Sequence, residues 1–452
     1  MAENDNSTRL FPGLSKQLRE LEQRSEPKQD TQPEPVPTPQ PEPKEEPKPV
    51  PKTAAASGGN VLDFKQASRQ QAPKNWSVED IRRIPWRRIL LIAVLVLLLT
   101  AVIVLVIWGQ TADLDAMRRG YAYRGVDRSA QGLAYEVELN GEYESLGGMG
   151  CRTAVASDLG LQALDEDGTV LASVVATLSD PVLVTSDKLA LVYDAEDTTI
   201  CLINSAMQTE KLQAAHPILM ADAAQGGGFC YLSATDADKS VLTVHSERFS
   251  EVYSWHSKTR YLSTAALSDN GQMVAAIGAG SKNGVYWSSL LLLRTDQETP
   301  AADVDLGEAV VLWVDWIGDR CVLICRDQVL FYSQNGALLG SYDLNGRTVT
   351  GADAGEDWLA LTLTEGRGRD TLLSLKTDGT VLGELALGRE VDGVSAAGDY
   401  VALLTPQGLS LYDPTLALYA ELADSANLRG CHVREDGTVL LYTGEGTALY
   451  LP

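Results

Sequence analysis

Four histidines, six cysteines and five phenylalanines are all that 452 residues hold of those types, and 37 basic residues face 61 acidic ones. Each scarcity excludes something. A chain of net charge −24 is not built for the phosphate backbone of nucleic acid or for an anionic lipid surface. The cysteines, at 151, 201, 230, 321, 325 and 431, form no C-x-x-C pair, and no metal-ligand spacing joins them to the histidines. Cys321 and Cys325 are close in sequence, in RCVLIC, but residues four apart on a strand lie about 13 Å apart, too far for a disulfide. Apolar neighbours mark most of these thiols as buried and free. The chain also lacks G-x-S-x-G, H-E-x-x-H, a P-loop and the dinucleotide fingerprint, so no catalytic constellation stands out and no cofactor is implied. Past residue 123 the helical apolar period is missing too, which rules against a βα solenoid.

What the chain does have is one long apolar run, ILLIAVLVLLLTAVIVLVIW at 89–108, in which Thr100 is the single polar side chain. About 20 such residues at roughly 1.5 Å each match a hydrocarbon core of about 30 Å, so the run predicts a transmembrane helix. It is too long and too far from the N-terminus for a cleaved signal peptide, and an uncleaved signal anchor fits it. Arg82, Arg83, Arg87 and Arg88 crowd its N-terminal edge, whereas Gln110, Asp113 and Asp115 open the other. By the positive-inside rule the N-terminus is cytoplasmic and everything past the span extracytoplasmic, with Trp86 and Trp108 as interface anchors. Up to Trp108 the chain holds 15 basic and 13 acidic residues, leaving 22 and 48 beyond it, so the acidity belongs to the outer part.

Residues 1–75 form a Pro-rich arm. Its stretch PEPVPTPQPEPKEEPKPVPK alternates proline with charge, cannot bury a core, and predicts an extended, disordered cytoplasmic segment. Residues 76–88, with Ser77 and Asp80 as a helix cap, predict a basic juxtamembrane helix, and 109–132 a helical stalk and linker.

From 133 to 452 a unit recurs: an apolar strand, a short turn, a second apolar strand. LALVYD and ICLIN, CVLIC and VLFYS, YVALL and LSLYD are three of eight such pairs, the first member starting anew every 35–48 residues or so. DEDGTVL, TDGTVL and QNGALL follow the second member, whereas EDGTVL and DNGQMV precede the first; Asp-Gly and Asn-Gly favour type I′ hairpins. Successive hairpins give four strands per unit. The fold expected is therefore all-β, an eight-bladed β-propeller following one transmembrane helix and a disordered arm. Seven blades remain the alternative if the irregular unit near 217–256 is incomplete. The last unit supplies three strands, and AYEVELN at 134–140 has no partner of its own. It alternates Tyr135, Val137 and Leu139 with Glu136 and Glu138, and it is expected to close the ring beside Ala448–Leu451.

IRRIPWRR, the apolar span, LDAMRRGYAYRGV and VYDAED together resemble an uncharacterised family of bacterial membrane-anchored propellers, known only as a domain of unknown function. The resemblance implies a propeller of the pyrroloquinoline-quinone-like or WD40-like superfamily and brings no catalytic residues. WD40 Gly-His and Trp-Asp signatures and the quinoprotein docking tryptophans are missing. Asp194, Glu196 and Asp197, and Asp236 with Asp238, could hold Ca²⁺ but sit where turns favour Asp for backbone reasons. Trp313 and Trp316 could stack on a sugar or peptide, or pack between blades. Two functions stay open. One is a binding or scaffolding module, held in lipid by its helix, for a protein or envelope partner at one propeller face. The other is an envelope enzyme acting on polysaccharide or a small molecule.

Overall fold

The structure is a computed structural model and describes residues 90–100, 114–138, 145–366, 368–423, 428–443 and 446–452. From Leu133 to Tyr450 these residues form 32 strands in eight antiparallel four-stranded sheets. Seven sheets are consecutive meanders: β2–β5, β6–β9, β10–β13, β14–β17, β18–β21, β22–β25 and β26–β29, spanning residues 145–175, 181–213, 218–257, 261–307, 311–343, 348–386 and 393–423. The eighth orders β1 (Leu133–Glu138), β32 (Gly446–Tyr450), β31 (Val439–Thr443) and β30 (Leu428–Val433). The fold is an eight-bladed β-propeller, and the irregular unit near 217–256 is a complete blade.

Burial follows position within a blade. The middle strands are covered by both neighbouring blades, so β7 (Leu189–Asp194) and β8 (Thr199–Asn204) are buried at every residue. That is why their sequences run apolar without alternation. The fourth strands have one wet face, and β17 (Ala302–Gly307, ADVDLG) alternates half-buried and exposed residues. Apolar clusters therefore lie in the seams between blades: Cys201 and Ile203 pack on the first blade's Ala154 and Leu161, and Leu291 and Leu293 on the third blade's Cys230 and Leu232.

Turn geometry corrects the expectation of type I′ hairpins. In DEDGTVL, Asp165 O accepts the N–H of Gly168 at 3.0 Å, and only the glycine takes a positive φ, +80°. That is a type I turn closed by a left-handed glycine, with the bulge visible as a register shift between Ala163 and Leu164. The same bond recurs at Gly271, Gly336, Gly379 and Gly437. A turn with both central residues at positive φ occurs instead at Asn283–Gly284 (+55° and +80°), joining β15 (Met273–Lys282) to β16 (Val285–Arg294). These two strands outrun their neighbours; GSKNGVYW carried no apolar run to announce it.

β1 runs antiparallel to β32, pairing Leu133 with Tyr450, Ala134 with Leu449 and Val137 with Thr447. A bulge falls between Ala134 and Val137, and Tyr135 adopts φ +48° there. Tyr135 and Val137 are half-buried and Glu136 and Glu138 exposed, while Leu139 lies outside the described residues. Ahead of β1, helix α1 (Leu114–Ala122) is followed over 123–132 by turns and irregular chain.

Residues 90–100, in a separate compact unit, are α-helical, and Thr100 donates within the helix to Val96 O (3.0 Å) or Leu97 O (2.9 Å). Among the described residues no helix is long and apolar enough to cross a membrane. Residues 89 and 101–108 of the expected span lie outside them, as do the arm and the juxtamembrane segment.

Candidate functional site

Each blade is an antiparallel meander, so the turns joining its first to second and third to fourth strands emerge at one face of the ring. Contacts between neighbouring blades tie these turns together. Asp187 N–H donates to Gln225 Oε1 (2.9 Å), Glu356 N–H to Gly398 O (3.3 Å) and the Arg434 guanidinium to Cys151 O (3.0 Å). The turns are strongly acidic. Asp187, Asp269, Asp319, Asp357, Asp399 and Glu435 occupy the inner set, and Asp165, Asp167, Glu247, Asp296 and Asp378 the outer, all exposed. Lys188, Arg248 and Arg434 are the basic residues within these turns, Arg434 pairing with Glu166 (2.8 Å), while Arg294 and Arg320 at the adjoining strand ends pair with Asp296 (3.1 Å) and Asp319 (3.8 Å). The opposite face mixes Lys239, Lys258, Arg326, Arg369 and Arg389 with its acids.

The acidic face already holds one cation of its own chain. Arg119 of α1 donates to the Asp436 carbonyl and the Tyr419 hydroxyl, and its guanidinium lies 5.4 Å from the Tyr419 ring centre. Tyr400 Oη donates to Asp115 (3.1 Å) beside it. The stalk helix is thus seated on the loop face at the seventh and eighth blades.

Inside the ring, the first strands carry carboxylates that the sequence reading missed. Asp222 Oδ2 accepts the N–H of Leu267 in the next blade (2.8 Å), Asp353 Oδ2 that of Ala396 (2.8 Å), and Ser395 Oγ that of Val433 (3.1 Å). Each latches one blade to the next. Burial pushes Asp222 up to about 6, against the backbone N–H bonds that hold it down, and Asp353 likewise to about 6. Asp315 lies well above the carboxylate range, through burial first and then the charge of Asp222. All three are half-buried by accessible area, on the first strands of their blades, which border a propeller's central channel. The available signal was an Asp inside an apolar first strand: LMADA, LWVDW, TGADA.

The acidic clusters flagged in the sequence have structural duties. Asp194, buried, accepts N–H bonds from Ser179 (2.9 Å) and Asp180 (2.7 Å), and Asp238 pairs with His256 Nδ1 at 2.7 Å. Among the described residues no group of three or more His, Cys, Asp or Glu is placed to hold a metal ion. Trp316 is buried and donates Nε1–H to Ala266 O (3.1 Å), and Trp313 packs on the seam between the fifth and sixth blades. Arg82, Arg83, Trp86, Arg87, Arg88 and Trp108 lie outside the described residues.

The structure is similar to several solved propellers. The C-terminal WD40 domain of Sif2 is 12% identical with a TM-score of 0.51, covering 71% of this chain and 98% of that one. The computationally designed Ika8 protein is 14% identical (TM-score 0.51; 70% and 98%), and Saccharomyces cerevisiae Sqt1 9% (0.50; 70% and 98%). At these identities the likeness is one of fold. Curated protein sequences give no match. A family model described as a family of unknown function, DUF5711, matches residues 135–415, more than half of the chain.

Proposed function

Because the chain belongs to the DUF5711 family, whose function is unknown, we propose its role from its own geometry: a propeller that binds and scaffolds a protein partner through its acidic loop face. The observation that carries this reading is the sign of the charge. One face of the ring is lined almost throughout by carboxylates, and where Arg119 meets it a guanidinium is accepted between a turn carbonyl and a tyrosine. A face of one sign raises the encounter rate of an oppositely charged surface and rejects like-charged ones. The partner segment is therefore basic.

The apolar run 89–108 anchors this propeller in the membrane, with the arm cytoplasmic and the ring extracytoplasmic. Thr100, the run's one polar side chain, satisfies its hydroxyl within the helix, as lipid surroundings require. The stalk helix follows the run in sequence and is seated on the loop face. The arm is free to recruit on the other side.

The test is charge reversal. The full chain extracted from its own membranes, carrying Asp357→Lys with Asp399→Lys, is expected to sediment without its partner. Glu196→Lys with Asp327→Lys, on the opposite face, is expected to sediment as the parent does. Identical behaviour of the two variants would overturn the reading.

A further inference from the structure

Three of the chain's four histidines, His216, His245 and His256, line one cavity of about 330 Å³ in the seam between the second and third blades. Elsewhere the third strand turns apolar residues into such a seam, as Cys201 with Ile203 and Leu291 with Leu293 do. Here β12 (Ser240–His245) brings Thr243 and His245 beside Val241, and β13 (Glu251–Ser257) adds Ser254 and His256. No β12 side chain joins the apolar cluster of this seam, to which the third blade gives Phe229, Tyr231 and Phe249 among others. The cavity exists because polar groups replace packing atoms.

The chemistry of the walls is specific. His245 stacks on Phe229 (ring centres 4.7 Å apart, 10° between planes) and on Tyr231 (5.8 Å). Its Nδ1 lies 2.9 Å from Phe249 O, and a carbonyl only accepts, so Nδ1 carries the proton and Nε2 is a bare acceptor. Burial, opposed by that bond, keeps the ring neutral by lowering its pKa. His256 is oriented in the same way by Asp238, and Glu251 adds a carboxylate. Lys and Arg are absent from the lining. The walls are thus rich in acceptors, aromatic on one side, and without a Lys or Arg for an anionic ligand.

We infer that this seam is a binding site for a donor-rich, uncharged polyol, a mono- or disaccharide unit, whose hydroxyls face His245, Glu251 and His256 while its apolar ring face lies toward Tyr231. The volume is at the lower end of ligand pockets, about 300–1,000 Å³, which suits a ligand of that size. The site lies in the seam between two blades and takes a different class of ligand from the basic segment proposed for the loop face.

Isothermal titration of the full-length chain in detergent tests this with glucose, N-acetylglucosamine, their β1,4-linked disaccharides, and spermidine as a donor-rich cation. At least one sugar is expected to bind saturably. Ser254→Trp, at the exposed mouth, and Thr243→Leu, which fills the cavity, should each weaken it at least tenfold. Val285→Asp, on the fourth blade's hairpin, should leave it unchanged. Saturation by spermidine alone, no saturation by any sugar, or sugar binding indifferent to Ser254→Trp would overturn the inference.

Discussion

Replacing Leu449 with Ala tests whether the ring is held shut by its first strand. Leu449 is 1% exposed and sits in β32 between Ala134 of β1 and Leu440 of β31. With Ala134 and Leu451 it forms a small core against which Tyr123, Val126 and Tyr135 pack. Truncating a buried Leu to Ala costs about 2–5 kcal/mol, from lost transfer energy and the cavity left behind. In an open repeat array such a loss would fray the terminal repeat and leave the others standing. In a closed ring the last blade shares strands from both ends of the propeller, so the loss falls on every blade. At about 2 °C per kcal/mol for a domain of this size, Tm should fall by roughly 4–10 °C in one transition. Circular dichroism melts of the full chain, with Leu171→Ala on the first blade's exposed fourth strand as control, provide the readout. A melt within 1 °C or so of the parent, or an early minor transition followed by an unchanged main one, would refute closure by β1.

Further predictions concern the channel and the cysteines. Asp222 and Asp353 have folded pKa values of about 6, above the ~3.9 of an unfolded Asp, so their stabilising contribution is complete below about pH 4 and is lost as pH rises through about 6. His432 is lowered to about 4 by burial, so its contribution is present above the unfolded value of ~6.5 and lost on acidification towards 4. The two effects oppose each other, each on the order of 3 kcal/mol per group, and urea midpoints of Asp222→Asn with Asp353→Asn should drop more between pH 7 and 4.5 than the parent's. A Cβ on Gly148 would meet the His432 ring at 2.0 Å, so Gly148→Ala should destabilise by about 1–3 kcal/mol in the same titration. Cys151 is exposed, whereas Cys201, Cys230, Cys321 and Cys325 are buried. A membrane-impermeant maleimide on intact cells should therefore label Cys151 and be blocked by Cys151→Ser; labelling only after lysis would contradict an extracytoplasmic ring.

The blades were legible because burial on both faces writes itself as continuous apolar pairs such as LALVYD and TICLIN, punctuated by Gly-closed turns. The turn type was misjudged since Asp-Gly serves both geometries, and only the backbone shows that Asp167 keeps a negative φ while Gly168 does not. The loop face was not legible at all. Asp187, Asp269 and Asp399 are far apart in sequence, and only ring closure brings their turns to one side. The channel carboxylates escaped because an isolated Asp in an apolar run reads as a turn residue, whereas Asp222 and Asp353 each cap a neighbouring blade's backbone. Thr243 and His245 were not singled out in sequence, where LTVHS read as an ordinary second apolar strand, and only the structure shows the cavity they line.

The most direct test of partner binding at the acidic face is site-specific photocrosslinking in growing cells. A photoreactive residue is placed at Asp357 or Asp399 on the loop face, and at Asp327 or Arg369 on the opposite one. The account predicts a discrete crosslinked protein from the first two positions, weakened by raised salt in isolated membranes, and none from the other two. Adducts from Asp327 or Arg369 with none from Asp357 or Asp399 would contradict it.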